Sequence, residues 1–227
     1  RIEGSKAPRI AVSGVVNAAS SAPGLVAGSL VTVHAAGVRN DPGVASALPP
    51  STELDGVSVM VNGVLAPILA VSNTNGVEKV TFQVPFEAAG GTASVAVSRS
   101  GLSSAAVEAP VADVQPGVYT DSMLVPEQQP LARGELATIY ASGLGLVTNP
   151  PATGSAAPDS PPSSAVVEVG VTLAGVRCEV QFAGLAPNMV GVYQVTFRTP
   201  ASTPSGMQEL VVTAGGASSP AVTLPVL

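Results

Sequence analysis

Short runs of alternating polar and apolar residues, many of them rich in valine, recur along the chain. A period of two indicates β-strands that have one buried and one solvated face. In the first half it predicts strands at residues 30–34, 57–61, 64–71, 80–84, 92–98 and 105–111. Helical periodicity is weak, and the 24 glycines and 21 prolines would break most helices of ordinary length. The pattern therefore predicts an all-β protein.

The dipeptide Asn62-Gly63 lies between two of these runs. A two-residue hairpin of type I′ requires positive φ at both central positions, and Asn followed by Gly is the pair that tolerates this best. We therefore expect a β-hairpin with Asn62-Gly63 at its tip.

The chain contains an internal repeat whose offset grows from 106 to 115 residues. AGSLVTVHAAG at 27–37 aligns with RGELATIYASG at 133–143, and Asn62-Gly63-Val64 aligns with Ala174-Gly175-Val176. VTFQVP at 80–85 then matches VTFRTP at 195–200, and SSAAV at 103–107 matches SSPAV at 218–222. Four matches in the same order predict two copies of one β-domain.

Six or seven strands in about 100 residues are typical of an immunoglobulin-like sandwich. We expect the first domain at residues 15–115 and the second at 116–227, each built around one phenylalanine, Phe82 or Phe197. The connection falls within residues 112–131, which contain Pro116, Pro126 and Pro130. Residues 1–14 are expected to be a linker or a cloning remnant. The chain itself is expected to be either a mature product or a fragment of a longer protein.

One further segment, residues 149–165, is rich in proline, serine and alanine. It predicts a long loop of the second copy, and its length is compatible with either a mobile loop or a binding loop.

The amino-acid composition excludes two classes of function. Only 11% of the residues are charged and 3% aromatic, tryptophan is absent, and the net charge is −6. With nine lysines and arginines in total, the chain offers no basic field for a nucleic acid. The mean hydropathy is +0.44, yet no apolar run reaches the ~18 residues of a membrane-spanning helix. We therefore expect neither nucleic-acid binding nor a membrane span.

Few residues are candidates for chemistry. His34 is the one histidine, and we expect it at the surface or rim of a strand rather than beside a nucleophile. Cys178 is the one cysteine, so it forms no internal disulfide, and the alternation around it predicts a buried thiol. One cysteine and one distant histidine do not make a zinc site.

Calcium remains open at the sequence level. Glu53 and Asp55, or the oxygen-rich run at residues 72–76, are possible hard ligands, although a solvated polar turn is the expected structure of that run. For carbohydrate stacking the chain offers three tyrosines. We assign Tyr193 to the core and leave Tyr119 and Tyr140 as candidates for surface contacts.

Four short motifs occur in order along the chain: VVNAAS at 15–20, PGVYT at 116–120, ASGLG at 141–145 and AGLAP at 183–187. With the repeat, they resemble the Solibacter-type C-terminal domain of large secreted acidobacterial proteins, from about Val15 to Leu227. Each half also resembles an IPT/TIG module of the immunoglobulin-like class. The resemblance implies a secreted, non-catalytic tail and transfers no site residues. Residues 121–129 are shorter than the usual insert of that family.

The sequence thus predicts two tandem immunoglobulin-like, IPT/TIG-like β-sandwich domains without catalytic, cofactor or metal residues. We expect a non-catalytic accessory module of an extracellular or cell-surface bacterial protein, acting in spacing, attachment or protein–protein interaction. Its expected partners are upstream domains of its parent protein or another extracellular protein. The alternative is a carbohydrate-binding module of an extracellular enzyme, with a polysaccharide as partner.

Overall fold

The computed structural model describes residues 7–38, 43–88, 90–120 and 122–227. These residues form strands joined by turns and loops, without a helix. The strands of the first half are β1 (Arg9–Asn17), β2 (Leu30–Ala36), β3 (Gly43–Val44), β4 (Glu53–Leu54), β5 (Val57–Val61), β6 (Val64–Leu65), β7 (Ile68–Thr74), β8 (Val77–Gln83), β9 (Gly91–Arg99), β10 (Leu102–Ser103) and β11 (Val107–Val111).

The strands of the second half are β12 (Gly117–Val118), β13 (Leu136–Ser142), β14 (Val169–Leu173), β15 (Val176–Arg177), β16 (Glu179–Leu185), β17 (Tyr193–Arg198), β18 (Gly206–Ala214), β19 (Ala217–Ser218) and β20 (Val222–Val226). Every paired strand is antiparallel to its neighbour. When the two-residue strands are left out, the first half has seven strands and the second has six, as expected of a sandwich.

Two sheets face each other in each half. In the first half one sheet has the order β1-β2-β8-β7-β3, and the other has β10-β9-β5-β4 with β11 on β9 and β6 on β5. In the second half the orders are β12-β13-β17-β16 and β15-β14-β18-β19, with β20 on β18. The all-β fold of two tandem immunoglobulin-like sandwiches is confirmed.

The two halves repeat each other in detail. Asn62 and Gly63 have φ values of 49° and 79°, and their counterparts Ala174 and Gly175 have 50° and 78°, which confirms the predicted hairpin. Paired threonine hydroxyls lie 2.9 Å apart in Thr32 and Thr81 and 3.0 Å apart in Thr138 and Thr196. The repeat seen in the sequence therefore extends to side-chain hydrogen bonds.

Each half has its own apolar core. The two principal clusters of buried hydrophobic residues draw their members from residues 15–111 and 118–226 respectively. Phe82 and Phe197 are fully buried at equivalent places in them, so the prediction of one central phenylalanine per core is confirmed.

Two predicted elements differ from the structure. The run at residues 64–71 is two strands, β6 and β7, which belong to different sheets. The chain crosses between the sheets at Ala66 and Pro67, because Pro67 has no amide hydrogen to donate to a continuous ladder. The first strand, β1, begins at Arg9, earlier than the expected start of the first domain at Val15; residues 1–6 lie outside the described ranges.

Candidate functional site

A third cluster of buried apolar residues joins the two halves. Its buried members are Leu30 and Leu69 from the first half and Ala186, Val190 and Val192 from the second. Partly buried residues packed around them are Ala18, Leu124, Val125, Tyr140, Ala156 and Met189. We call this contact the seam. Because it removes apolar surface of both halves from water, it favours one fixed arrangement of the two sandwiches.

Gln83, the last residue of β8, connects the two halves at the seam. Its side chain is completely buried. The Nε2 group donates a hydrogen bond to the Gly28 carbonyl at 3.1 Å, and the Oε1 atom accepts one from the Gly154 amide of the second half at 2.7 Å. A buried amide that uses both ends in this way ties the loop of one half to the strand start of the other.

Two serines form a second polar contact across the seam. The Ser142 hydroxyl donates to the Leu30 carbonyl at 3.0 Å, and the Gly143 amide donates to the Ser29 hydroxyl at 3.2 Å. Ser29 and Ser142 are 1% and 0% exposed. Hydrogen bonds have directional requirements, so these contacts specify the register of the two halves, whereas the apolar cluster is less selective.

The chain connection is held against both halves. The Asn17 Nδ2 group donates to the Gln115 carbonyl at 2.8 Å, and the Gln115 amide donates to the Gly143 carbonyl at 2.8 Å. The Gln115 side chain donates to the Pro23 carbonyl at 2.7 Å. The residue that ends the predicted first domain is therefore hydrogen-bonded on both sides and does not behave as a free linker.

Two glycines allow the halves to approach closely. A Cβ added to Gly143 would lie 2.0 Å from the Gln115 carbonyl oxygen, and one added to Gly191 would lie 2.7 Å from the Leu30 Cδ2 atom. Both distances are shorter than any ordinary contact, so the packing at these two positions requires glycine.

The long loop at residues 149–165 is part of the seam. The Thr153 hydroxyl accepts a hydrogen bond from the Phe86 amide at 3.1 Å and donates one to the Glu87 carboxylate at 3.2 Å. The loop also bonds to its own half, where the Ala157 amide donates to the Met189 carbonyl at 2.9 Å. The structure thus gives this loop a binding role towards the first half of the same chain.

The polar seam residues are not recognisable in the sequence. Ser29, Gln83 and Ser142 are ordinary polar residues in strand-like runs, and their burial depends on the position of the other half. The sequence carries no signal for Gln83, because Phe82-Gln83-Val84 fits an ordinary alternation, and only the structure shows that all three side chains are buried.

His34 and Cys178, the two candidates for nucleophilic or acid–base chemistry, lie in different halves of the chain. His34 is half-buried on β2 beside Lys79 of β8, as expected of a rim residue; partial burial, and then Lys79, lower its pKa. Cys178 is 5% exposed between β15 and β16, so its predicted burial is confirmed. That burial raises the pKa of the thiol and disfavours the reactive thiolate.

The tyrosines are placed differently from the expectation. Tyr193 is fully buried, as predicted, and its hydroxyl donates to the Gly145 carbonyl; burial raises its pKa to about 12. Tyr119 is only 4% exposed, so the candidate role as a surface contact is wrong for this residue. Burial raises its pKa too, despite a nearby Ser142 hydroxyl. Tyr140 is half-buried and packs against the seam.

The possible calcium ligands occupy turns. Asn75 and Gly76, with φ of 52° and 82°, close the β7–β8 hairpin, and the Gly76 amide donates to the Asn73 side chain at 3.0 Å. This is the solvated polar turn that we expected. Glu53 and Asp55 are exposed at the β4–β5 turn. Across the described ranges, no group of three His, Cys, Asp or Glu side chains is arranged to hold a metal ion.

Two open grooves lie on the second half. One, of about 320 Å³, separates residues 126–132 from β13. The other, of about 490 Å³, crosses β14 and β18, where Glu168 and Arg177 form an exposed ion pair at 2.7 Å. The lining residues of the second groove include Gly170, Thr172 and Thr213 and no aromatic side chain. Within the ranges described, no helix has the length and hydrophobicity needed to cross a membrane.

Comparison with known proteins gives no family for this chain. No family model and no curated protein matches it. Among solved structures it is similar to SGBP-B of the Bacteroides ovatus mixed-linkage glucan utilization locus, solved with a mixed-linkage heptasaccharide, at 10% identity and a TM-score of 0.36; 88% of this chain and 42% of that one are covered. The surface layer protein SbsC, domains 4–9, matches at 15% identity and a TM-score of 0.27, covering 97% and 30%.

A third similar structure is that of the tandem Ig repeats of Dlar, at 12% identity and a TM-score of 0.26, with 97% of both chains covered. The chain thus spans less than half of the first two proteins. At these scores the similarities carry no functional argument, and the immunoglobulin-like assignment rests on the sheet topology itself.

Proposed function

We propose that the chain is a non-catalytic accessory module of a secreted or cell-surface bacterial protein, and that it holds neighbouring parts of that protein, or a protein partner, at a fixed separation. A position at the C-terminus of an acidobacterial protein, as the family resemblance implies, belongs to the same proposal.

The seam is the observation that carries this proposal. Tandem domains joined by a small polar interface move relative to each other by default. Here Gln83, Ser29 and Ser142 make buried hydrogen bonds across the contact, and the connecting residue Gln115 is bonded to both sides. A pair of sandwiches fixed in this way suits a spacer, because it transmits position along its length without bending.

A distance measurement between the outer ends tests the spacer. In a Cys178→Ala background, Thr74→Cys and Ser202→Cys place spin labels at the exposed end of β7 in the first half and at an exposed turn of the second half. Pulsed electron resonance is expected to give one narrow distance distribution. Adding Gln83→Ala should broaden it, whereas Arg198→Ala, at the equivalent exposed position, should not. A broad distribution in the otherwise native seam would contradict the proposal.

A carbohydrate-binding module remains the second candidate, and the groove across β14 and β18 is the observation that favours it. Its Glu168, Arg177 and threonine side chains are suited to the hydroxyl groups of a sugar. Polysaccharide pull-down with the native chain and with Thr213→Ala tests it. Loss of retention in the variant would support a carbohydrate partner, and no retention of the native chain would exclude the polysaccharides tested.

A further inference from the structure

The turn that follows β17 contains two buried threonines, Thr199 and Thr203. They are 0% and 1% exposed. The Thr203 amide donates a hydrogen bond to the Pro200 carbonyl at 3.0 Å, so one threonine stands immediately before a tight turn and the other stands at its end. We call this segment, residues 199–203, the threonine turn.

The first half has the same turn with apolar residues at both positions. Val84 and Ala88 are the counterparts of Thr199 and Thr203 in the repeat, and they are also buried, at 0% and 9% exposure. The Ala88 amide donates to the Pro85 carbonyl at 3.0 Å, which is the bond that closes the threonine turn. One backbone geometry thus carries two apolar side chains in the first half and two hydroxyl groups in the second.

The backbone of Thr199 is hydrogen-bonded to the start of β13. Its amide donates to the Glu135 carbonyl, and its carbonyl accepts from the Gly134 amide, both at 2.9 Å. The counterpart Val84 makes the same two bonds within the first half, at 2.9 and 3.0 Å. The backbone therefore holds the turn in the same way in both halves, and the hydroxyls of the second half are not needed to form it.

Neither hydroxyl of the threonine turn has a protein partner within the described ranges. The Oγ1 atoms of Thr199 and Thr203 are buried and form no hydrogen bond. Each threonine precedes a proline, Pro200 or Pro204, so the next residue has no amide hydrogen to offer. Two threonine hydroxyls that bond directly lie 2.9 or 3.0 Å apart elsewhere in this chain. Thr199 and Thr203 do not form such a pair.

Two unpaired buried hydroxyls would destabilise the second half. A hydroxyl loses its hydrogen bonds to solvent on folding, and burial without a new partner costs free energy. The first half avoids this cost with Val84 and Ala88 on the same backbone geometry. Buried polar groups that lack a protein partner are commonly satisfied by internal water, which binds about two to four polar groups inside a fold.

We propose that the threonine turn is a binding site for internal water, which is hydrogen-bonded to the hydroxyls of Thr199 and Thr203. A hydroxyl both donates and accepts, so two of them offer water both kinds of partner. The site belongs to the second half alone, because Val84 and Ala88 have no polar side-chain atom. The proposal goes beyond the spacer function, since it concerns the interior of one sandwich and not the seam.

Oxygen-17 magnetic relaxation dispersion tests the site, because it detects water oxygens that stay in a protein far longer than surface water does. The native chain is compared with the double variant Thr199→Val, Thr203→Ala, which carries the residues of the first-half turn and is therefore expected to fold. The dispersion amplitude should fall by the contribution of one long-lived water. Thr138→Val is the control, because its hydroxyl bonds directly to Thr196, and it should leave the amplitude unchanged.

Urea unfolding of the single variant Thr199→Val gives a second readout. Valine keeps the shape of the side chain and removes one partner of the water, so the unfolding midpoint should fall. Ser202→Ala, at an exposed position of the same turn, should leave the midpoint unchanged. A raised midpoint in Thr199→Val would overturn the proposal, because the loss of an unpaired buried hydroxyl is favourable. Equal dispersion amplitudes in the native chain and the double variant would overturn it as well.

Discussion

Gln83 and Arg198 occupy the same position in the two halves and make the same hydrogen bond. Gln83 donates to the Gly28 carbonyl at 3.1 Å, and Arg198 donates to the Gly134 carbonyl at 2.7 Å. Gln83 is fully buried by the other half, whereas Arg198 is exposed to solvent. The position therefore holds the start of a strand in both halves and has become a contact between halves in only one.

Gln83→Ala is expected to destabilise the folded chain by about 1–3 kcal/mol, because it leaves the buried Gly154 amide without its acceptor. Urea unfolding followed by circular dichroism measures the change. Arg198→Ala is the matched control and should change the free energy of unfolding by less than about 1 kcal/mol, as expected of an exposed position. Equal losses in the two variants would mean that the seam adds nothing to the shared hydrogen bond.

Substitution by alanine is expected to destabilise the chain far more at the seam glycine Gly143, which follows β13, than at Gly134, which precedes β13. Both have positive φ, 78° and 77°, so an alanine pays the same backbone cost of about 1–2 kcal/mol. Gly134 has open space around it, but a Cβ on Gly143 would collide with the Gln115 carbonyl. We expect Gly143→Ala to lose a further ~1–3 kcal/mol.

Urea unfolding of the two alanine variants separates two contributions to the free energy of unfolding: the backbone strain, which both variants share, and the collision, which only Gly143→Ala introduces. Similar losses in Gly134→Ala and Gly143→Ala would show that the connection relaxes away from the seam without cost.

Stability should fall in alkaline solution. The pKa of Tyr193 is raised from 10.0 to about 12 in the folded chain, so the unfolded chain loses its proton first as pH rises. The stabilisation from the neutral phenol is complete below pH 10, and it is lost as pH rises from about 10 to about 12.

Unfolding midpoints measured across this pH range check the alkaline loss. Tyr193→Phe should be less stable at neutral pH, since it lacks the hydrogen bond to Gly145, and its stability should fall less steeply with pH. A native chain whose phenolates all form near pH 10 would contradict the burial of Tyr193.

Cys178 should resist thiol reagents in the native chain and react once urea is added, because it is 5% exposed and its pKa is raised by burial. A colorimetric thiol assay with and without urea measures both rates. Cys178→Ala combined with Ser202→Cys, at an exposed turn, supplies a fast-reacting control. Similar native rates for the two chains would place Cys178 outside the core.

The two halves, residues 1–115 and 116–227, are expected to fold separately. Each holds its own cluster of buried hydrophobic residues, and no strand of one half pairs with a strand of the other among the described residues. Each fragment should unfold cooperatively at lower urea than the whole chain, because separation exposes the seam residues Leu30, Leu69, Val190 and Val192. A fragment that is unfolded alone and folds only with its partner would make the pair the folding unit.

Much of the fold could be predicted from local pattern. Alternation placed β2, β5, β8 and β9 close to their observed positions, because one face of each strand is buried and its period is two. Asn62-Gly63 specified a turn through backbone conformation alone. The repeat predicted a second core, because equivalent apolar positions recur in the same order in both halves. The pattern failed at residues 64–71, where an apolar run serves first one sheet and then the other.

The sequence by itself thus determined the two sandwiches, because strands, turns and cores depend on residues that are near in sequence or repeated at a fixed offset. Only the tertiary structure decided what lies between and beside them. Gln83 and Arg198 are both polar ends of a strand, and which one is buried depends on where the other half sits.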